Sequence, residues 1–206
     1  MGDPYLQLAD YRRMVAAMYQ DVRRDDVGPE EQLRRFRAAK DELFRTHPQS
    51  PIPHAKRAGS GGLAYWPYDP ALRLGAAFEP ETAQEERGLP RSGGGEMNLQ
   101  RIGSVSFQLG GHAHRLDAYW FADYAGGVFI PFRDVTNGAD TYGGGRYLWD
   151  SAKGADLGST DAELVLDFNY AYHPSCVYDP RWSCPLAPPG NRLGVSIRAG
   201  ERLPRP

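Results

Sequence analysis

The sequence predicts a mainly β protein, α+β overall, in which an N-terminal helical pair precedes an antiparallel β domain. Apolar residues recur at helical spacing within residues 1–47. Further along, the pattern changes to short runs of β-forming residues separated by turn residues. Because no helical run lies between these strands, an antiparallel barrel or sandwich is favoured over a parallel sheet with crossover helices. We therefore expect the helical pair, residues 1–47, to pack on a β domain of residues 48–206.

Two helix signals justify the N-terminal half of this prediction. Asp3 followed by Pro4 marks a helix start, and the apolar stripe of this helix continues to about Arg24. A second helix begins at Pro29 and ends near His47. The apolar faces consist of Tyr11, Met14, Val15, Met18 and Val22 in the first helix and of Leu33, Phe36, Leu43 and Phe44 in the second.

Short strands and their turns justify the β domain. The predicted strands are residues 63–66, 72–78, 102–109, 114–121, 128–132, 164–169 and 193–199. Gly110-Gly111 between two of these runs predicts a hairpin, and Asn137-Gly138 predicts a second tight turn because both residues accept positive φ. Seven or eight such strands are typical of a barrel or a sandwich, and a calycin-like barrel is our first expectation.

Composition limits the classes of partner. The chain has 206 residues, 24 basic and 26 acidic, and a net charge of -2, so no overall attraction to nucleic acid or to an anionic membrane is expected. No stretch approaches the roughly 20 apolar residues of a membrane helix. The first residues mix charged and apolar side chains and do not resemble a secretory signal. We expect a soluble, cytoplasmic protein that binds a small molecule.

The segment of residues 132–148 carries the densest group of polar and glycine residues. Three glycines precede Arg146, and a guanidinium beside exposed backbone amides suits a carboxylate or phosphate. Asp134 is a candidate general base, and Tyr142 or Arg146 a candidate stabiliser of developing negative charge. The alternative is a structural glycine-rich hairpin in which Arg146 pairs with Asp134 or with Asp167.

A second polar segment covers residues 166–174. In a strand, Asp167 and Asn169 point to the same face, where a carboxylate and an amide can act together on a polar ligand. Asp167 is therefore a second candidate base, and the alternative is a buried network in which Arg146 is its counter-ion. The full set of predicted ligand-binding residues is Arg146, Asn169, Tyr147, Tyr172 and Arg192.

No metal site is predicted, and the sequence identifies no cofactor. His173, Cys176 and Cys184 are the candidate ligands, but structural zinc needs four ligands and usually shows a closely spaced cysteine pair. A disulfide across this proline-rich loop is geometrically possible and is disfavoured in a reducing compartment. Two packed free thiols are the remaining alternative.

Several strings in this chain resemble an uncharacterised bacterial and archaeal family, the domain of unknown function numbered 1684. They include Ser50-Pro51-Ile52, Leu63-Ala64-Tyr65-Trp66-Pro67, Phe129-Ile130-Pro131-Phe132-Arg133-Asp134, Thr141-Tyr142-Gly143-Gly144-Gly145-Arg146-Tyr147, Asp167-Phe168-Asn169, Cys184-Pro185, Asn191-Arg192-Leu193 and Ala199-Gly200-Glu201. The resemblance covers nearly all of the chain from the second helix onward and implies no biochemical role. Where that family has Asn-Pro, this chain has His173-Pro174.

Three functional hypotheses follow from the sequence. The first is a small-molecule-binding β-barrel that recognises a polar or anionic ligand. The second is an enzyme that uses aspartate, tyrosine and arginine acid-base chemistry in the same pocket. The third is an interaction module in which the helical pair recruits a protein partner.

Overall fold

The computed structural model describes residues 2–24, 26–58, 61–122, 126–161 and 163–204. Two long helices come first, as the sequence predicts. The helices are α1 (Pro4–Arg24), α2 (Pro29–Thr46) and the single turn α3 (His54–Arg57). The strands are β1 (Arg73–Pro90), β2 (Glu96–Leu109), β3 (His112–Trp120), β4 (Val128–Phe132), β5 (Arg146–Asp150) and β6 (Glu163–Asp167).

Local chemistry explains where the two helices begin. The Asp3 carboxylate accepts hydrogen bonds from the backbone N–H groups of Tyr5 at 2.9 Å and Leu6 at 3.1 Å, which satisfies donors that the first turn of α1 leaves unpaired. Pro29 occupies the first turn of α2, where its missing N–H has no consequence. Within the described residues, no helix combines the length and apolarity needed to cross a membrane.

The six strands form one antiparallel sheet in the order β5-β4-β3-β2-β1-β6, curled into a half-barrel. The mainly β prediction with its N-terminal helical pair is thereby confirmed. Gly110 and Gly111 have φ of +61° and +79° and close the predicted hairpin between β2 and β3. The other predicted turn, with Gly138 at φ +86°, lies in the connection between β4 and β5.

The sheet stops short of closing into a full barrel because connecting segments occupy its two edges. Tyr147 of β5 exchanges backbone hydrogen bonds with Tyr172, and Val165 of β6 donates its N–H to the carbonyl of Gly158 at 2.9 Å. Trp149 of β5 joins the two edges by donating its indole N–H to the Val165 carbonyl at 2.9 Å. In the described chain this side-chain bond, and no strand ladder, links β5 to β6.

Two predicted strands, residues 63–66 and 193–199, are irregular in the structure. Each makes isolated backbone contacts, such as the bond from the Trp66 N–H to the Gly200 carbonyl at 3.0 Å. For residues 193–199 the physical reason is that the Arg146 side chain takes the carbonyls of Ile197 and Ala199, which a neighbouring strand would otherwise use. Apolar alternation in the sequence does not reveal that substitution.

The helices and the sheet share one hydrophobic core. Tyr19 of α1 stacks edge-on against Phe36 of α2 with ring centroids 5.0 Å apart, and Phe36 makes a similar contact with Tyr170 at 5.0 Å. Phe132 and Phe168 continue the same cluster into the half-barrel, with their centroids 5.2 Å apart. The helical pair therefore packs directly on the β elements.

Candidate functional site

A cavity of about 260 Å³ lies between the helical pair and the segment of residues 172–182. Its wall is mainly aromatic and aliphatic. The aromatic members are Tyr11, Tyr19, Phe36, Phe44, Tyr147, Tyr172, Tyr178 and Trp182. The charged members are all basic: Arg12, Lys40 and Lys153. No aspartate or glutamate belongs to the described lining, so the wall combines apolar surface with positive charge.

Helical spacing brings these side chains together. Tyr11, Val15 and Met18 recur at intervals of four and three residues and therefore share one face of α1. Phe36 and Lys40 are four residues apart on α2 and point to the same side. The two faces meet above β5, which leaves the cavity at the junction of helices and half-barrel.

A buried ion pair forms the polar end of the cavity. The Lys40 ammonium lies 2.5 Å from Glu201 Oε1, with side-chain exposures of 8% and 2%, so both charges are removed from water. The other carboxylate oxygen of Glu201 accepts hydrogen bonds from the Tyr178 hydroxyl and from the His173 backbone N–H, each at 2.8 Å. Burial favours the neutral acid, but Lys40 and these donors outweigh it and hold the pKa of Glu201 below its usual value. Glu201 is therefore ionised, with Lys40 at one carboxylate oxygen and two hydrogen-bond donors at the other.

His173 is a neutral member of this polar end. Burial lowers the pKa of His173 to about 4, even though Glu201 favours the charged form. Its Nε2 accepts the backbone N–H of Tyr142 at 3.3 Å, which leaves Nδ1 to carry the proton, 3.7 Å from Glu201 Oε2. The imidazole is occupied on both sides by protein groups. The described chain contains no cluster of three or more His, Cys, Asp or Glu side chains arranged to hold a metal ion.

The mouth of the cavity carries the accessible positive charge. Lys153 is largely exposed and lies 3.0 Å from Asp150 Oδ2, so its charge is partly compensated. Arg12 is exposed on α1 and forms no ion pair among the described residues. Among the described residues, Arg12 is therefore the exposed cation of the lining whose charge is less compensated.

Arg146, the first predicted ligand-binding residue, is fully buried and does not line this cavity. Its guanidinium donates to the carbonyls of Ile197 at 2.8 Å, Ala199 at 2.5 Å and Glu201 at 3.1 Å. Asp134 Oδ2 lies 3.5 Å away and supplies the counter-charge. Burial lowers the pKa of Arg146 to about 10, which still leaves it charged at neutral pH. The residue clamps residues 197–201 onto β5.

Asp134 is sealed in the same clamp. Its carboxylate accepts the Thr136 hydroxyl at 2.9 Å and the Ile197 backbone N–H at 2.6 Å, in addition to facing Arg146. Asn137 and Thr141 complete the surrounding turn through side-chain hydrogen bonds, one of them from Asn137 Nδ2 to Thr141 Oγ1 at 3.1 Å. Of the two counter-ions proposed for Arg146 from the sequence, the structure selects Asp134.

Asp167 and Asn169 meet each other elsewhere in the fold. Asp167 Oδ1 accepts the backbone N–H of Asn169 at 2.9 Å and its side-chain amide at 2.8 Å. Asn169 also exchanges hydrogen bonds with the backbone of Asp69, at 2.9 Å and 2.8 Å. The described contacts do not bring this pair to Arg146, so the predicted polar residues occupy two separate places.

Four other predicted residues are distributed between the cavity, its border and the surface. Tyr147 and Tyr172 line the cavity, and the Tyr147 hydroxyl donates to the Pro185 carbonyl at 2.5 Å. The Tyr142 hydroxyl lies 3.9 Å from Cys176 Sγ, outside the lining. Arg192 is exposed and also stands apart from the lining.

Sequence reasoning missed Lys40, Tyr178 and Glu201. A signal existed for Lys40, because a lysine four residues after Phe36 and four before Phe44 interrupts the apolar stripe of α2. Glu201 belongs to the string Ala199-Gly200-Glu201 that carried the family resemblance. No periodicity connects it with α2, since the two lie far apart in the chain.

The fold and the cavity define a class of protein: a mainly β chain whose antiparallel half-barrel and helical pair enclose a hollow between them. Within that class, the chain belongs to the family described as protein of unknown function (DUF1684), whose model matches residues 60–202. The resemblance found in the sequence is therefore confirmed.

A solved structure supports the same assignment. The chain is similar to the solution NMR structure of an uncharacterised protein of Haloarcula marismortui, with 36% identity and a TM-score of 0.63. The match covers 84% of this chain and 94% of that chain. No curated protein matches this sequence.

Proposed function

We propose that this chain is a cytoplasmic protein that binds a small organic anion, with an apolar body, in the cavity between the helical pair and the half-barrel. The observation that carries the proposal is the lining: aromatic walls whose charged side chains are all basic. Ligand sites generally combine an apolar wall with a few polar groups that fix orientation. Tyr147 and Tyr172, predicted from the sequence as ligand-binding residues, lie in this wall.

The charges indicate how the ligand is oriented. Lys40 is neutralised by Glu201 inside the cavity, so a second anion placed there would leave a buried charge without compensation. Arg12 at the mouth is solvent-exposed and suits a carboxylate or a phosphate. The apolar body then packs against Tyr11, Phe36 and Tyr172. This arrangement desolvates hydrocarbon and leaves the anionic group near water.

The volume limits the ligand to a small molecule. About 260 Å³ lies slightly below the roughly 300–1,000 Å³ typical of ligand sites. A single aromatic ring system or a short acyl chain is the size that this space accepts.

A binding series tests the proposal. The full chain is titrated with aromatic and straight-chain carboxylates of increasing length and with the matching alcohols, and Trp182 in the wall supplies a fluorescence signal. We expect carboxylates to bind more tightly than alcohols, and affinity to rise with apolar size until the space is filled. Absence of saturable binding across both series would sink the proposal.

Two matched pairs of variants locate the site. Val15→Trp fills the cavity from α1 and should abolish binding, whereas Leu6→Trp places the same ring on an exposed position of that helix and should not. Arg12→Gln should weaken carboxylate binding about tenfold, in line with an exposed charge-assisted contact of about 1.4 kcal/mol. Arg13→Gln, a change at the next residue, which lies outside the lining, should leave affinity unchanged.

One observation favours acid-base chemistry as a second candidate function. Asp167 Oδ2 and the Tyr170 hydroxyl are buried, have no hydrogen-bond partner in the described part of the chain, and line a second cavity of about 350 Å³ together with Arg73. Burial raises the pKa of Asp167, which brings this carboxylate closer to the range of a general base or acid. The first predicted base, Asp134, lacks such an opening because it is sealed beside Arg146.

Tyr170→Phe is the informative variant for this second candidate. It removes a hydroxyl that makes no hydrogen bond in the described structure, so the fold should be unaffected. Chemical turnover with model esters or hydroxy compounds that is lost in both Tyr170→Phe and Asp167→Asn would support the enzyme. Turnover that survives in both variants would show that other residues carry the activity.

A further inference from the structure

Two arginines flank the Trp66 side chain, outside the lining of the cavity. The guanidinium carbon of Arg198 lies 5.9 Å from the centre of the Trp66 ring, and that of Arg202 lies 5.7 Å from it. Both distances fall within the range of a cation–π contact. A third cation, Arg37, lies over the neighbouring Tyr65 ring at 4.6 Å. Three guanidinium groups therefore gather on two adjacent aromatic rings.

Backbone pairing explains this arrangement. The Trp66 N–H donates to the Gly200 carbonyl at 3.0 Å, and the Arg202 N–H donates to the Ala64 carbonyl at 2.9 Å. Gly200, opposite Trp66, has no side chain, so the arginines two residues before and after it reach the indole. Arg198 is exposed and Arg202 is partly exposed, so a ligand can approach both from solvent.

The positive charge of this group is not compensated within the described part of the chain. Arg37, Arg198 and Arg202 form no ion pair there. Arg37 donates to the Trp66 carbonyl at 2.9 Å, and Arg202 donates to the Tyr65 carbonyl at 3.2 Å. The Arg198 guanidinium makes no hydrogen bond to the described residues. Its donors and its charge are therefore available to a ligand.

The indole N–H of Trp66 is a further donor without a partner. Trp66 is 9% exposed, and its Nε1 has no hydrogen-bond acceptor among the described residues. An indole N–H can only donate, and a buried donor without an acceptor is unfavourable. The group that would satisfy Trp66 and both arginines is therefore an acceptor that carries negative charge.

We propose that Arg198, Arg202 and Trp66 form a binding site for a phosphate group. A phosphate monoester carries a charge of about −2 at neutral pH and three acceptor oxygens, which matches two guanidinium groups and one indole N–H. A carboxylate has half that charge and one oxygen fewer, so it would leave one donor unmatched. The planar fork of arginine also suits paired hydrogen bonds to phosphate oxygens.

Nuclear magnetic resonance of the full chain tests the site with inorganic phosphate. The chain has four tryptophans, whose indole N–H signals are followed while phosphate is added slightly above neutral pH at constant ionic strength. We expect a saturable shift at Trp66 and none at Trp149, which is buried in β5. Sulfate should bind as phosphate does, and acetate more weakly. A Trp66 shift that never saturates, or equal affinity for acetate and phosphate, would overturn the proposal.

Matched arginine variants locate the contact. Arg198→Gln should weaken phosphate binding about tenfold, because it removes one charge-assisted contact. Arg198→Lys keeps the charge without the planar fork, so it should weaken binding less. Arg192→Gln changes an exposed arginine that makes no described contact with Trp66, and it should leave the affinity for phosphate unchanged. Equal affinities of Arg198→Gln and Arg192→Gln would contradict the site.

Arg12→Gln separates this site from the proposed function, beyond which it lies. Trp66, Arg198 and Arg202 do not line the cavity, so Arg12→Gln should leave the phosphate titration unchanged. Arg198→Gln should in turn leave carboxylate binding in the cavity unchanged. If phosphate binding were lost in Arg12→Gln and retained in Arg198→Gln, phosphate would bind at the mouth of the cavity, and the site at Trp66 would be wrong.

The same titration distinguishes the sources of phosphate. Glycerol phosphate represents small phosphorylated compounds, and a phosphoserine peptide represents a segment of a protein. Whichever binds more tightly than inorganic phosphate, with saturation at Trp66, supports the site and identifies the source. A single-stranded oligonucleotide that binds more tightly than either monoester would overturn the proposal in favour of nucleic acid.

Discussion

The clamp around Arg146 and the cavity beneath α1 both contain charged side chains, yet they differ in what those side chains contact. In the clamp, Arg146 and Asp134 are fully buried and make hydrogen bonds to backbone groups of residues 197–201. In the cavity, aromatic faces and the exposed Arg12 surround unfilled space. The difference teaches that residue chemistry identifies candidates for a site, whereas free volume beside them decides whether a ligand can enter.

Removing the Arg146 clamp should have the largest effect on the stability of the fold. Arg146→Met leaves Asp134 buried without its counter-charge and leaves three carbonyls without their donor, so we expect a loss of about 3–5 kcal/mol in the free energy of unfolding. Urea denaturation measures it. Arg192→Met, at an exposed arginine, should stay within about 0.5 kcal/mol of wild type. If Arg146→Met left the free energy of unfolding unchanged, the clamp would not stabilise the fold, and the two regions would not differ in the way described.

Acid should destabilise the polar end of the cavity. The pKa of His173 is about 4 in the folded protein, whereas an unperturbed histidine has a pKa of 6.5, so between these values the unfolded chain binds the extra proton. Stability should therefore fall as pH falls through this window, by about 3 kcal/mol in total. Glu201, whose folded pKa is lowered, loses its contribution only below its ordinary value of 4.5.

The asparagine variant isolates the histidine effect. His173→Asn removes the titrating ring, so its stability profile between about pH 4.5 and 6.5 should be flatter than that of wild type. Thermal unfolding measured across this range provides the comparison. Parallel profiles for the two proteins would show that His173 does not titrate as its burial implies.

A substitution that strains the backbone should give a smaller loss in the free energy of unfolding. Gly200 has φ of +71°, and an added Cβ would lie 2.4 Å from the Ala171 carbonyl oxygen. Gly200→Ala should therefore lower the free energy of unfolding by about 2–3 kcal/mol, because the new side chain strains the backbone and crowds the Ala171 carbonyl. Gly194→Ala is the control, because nothing in the described structure lies within 4 Å of the corresponding position and its φ is ordinary. Similar denaturation midpoints for both variants would argue against a tightly held clamp.

The smallest expected effect on stability is at Arg12, in the lining of the cavity. Arg12→Gln should change the free energy of unfolding by less than about 0.5 kcal/mol, because the side chain is exposed and forms no ion pair among the described residues. Thermal unfolding without ligand checks this. A large loss would mean that Arg12 supports the fold, and would remove the matched test of carboxylate binding.

The sequence predicted the helical pair and the antiparallel sheet because each follows from a local period. It also selected Tyr147 and Tyr172, which line the cavity. It did not predict the Lys40–Glu201 pair, because residues on α2 and near position 201 have no shared periodicity. It likewise grouped Arg146 with Asp167, since neighbouring polar strings look alike until the direction of each side chain is known.

The Arg146 clamp has a consequence for how the protein is made. The carbonyls of Ile197, Ala199 and Glu201 are its hydrogen-bond acceptors, and Glu201 also neutralises Lys40 far back on α2. While these residues are still inside the ribosome, Arg146 lacks its three carbonyl acceptors and Lys40 lacks its counter-ion. Completion of the native fold must therefore wait until residues 197–201 have emerged.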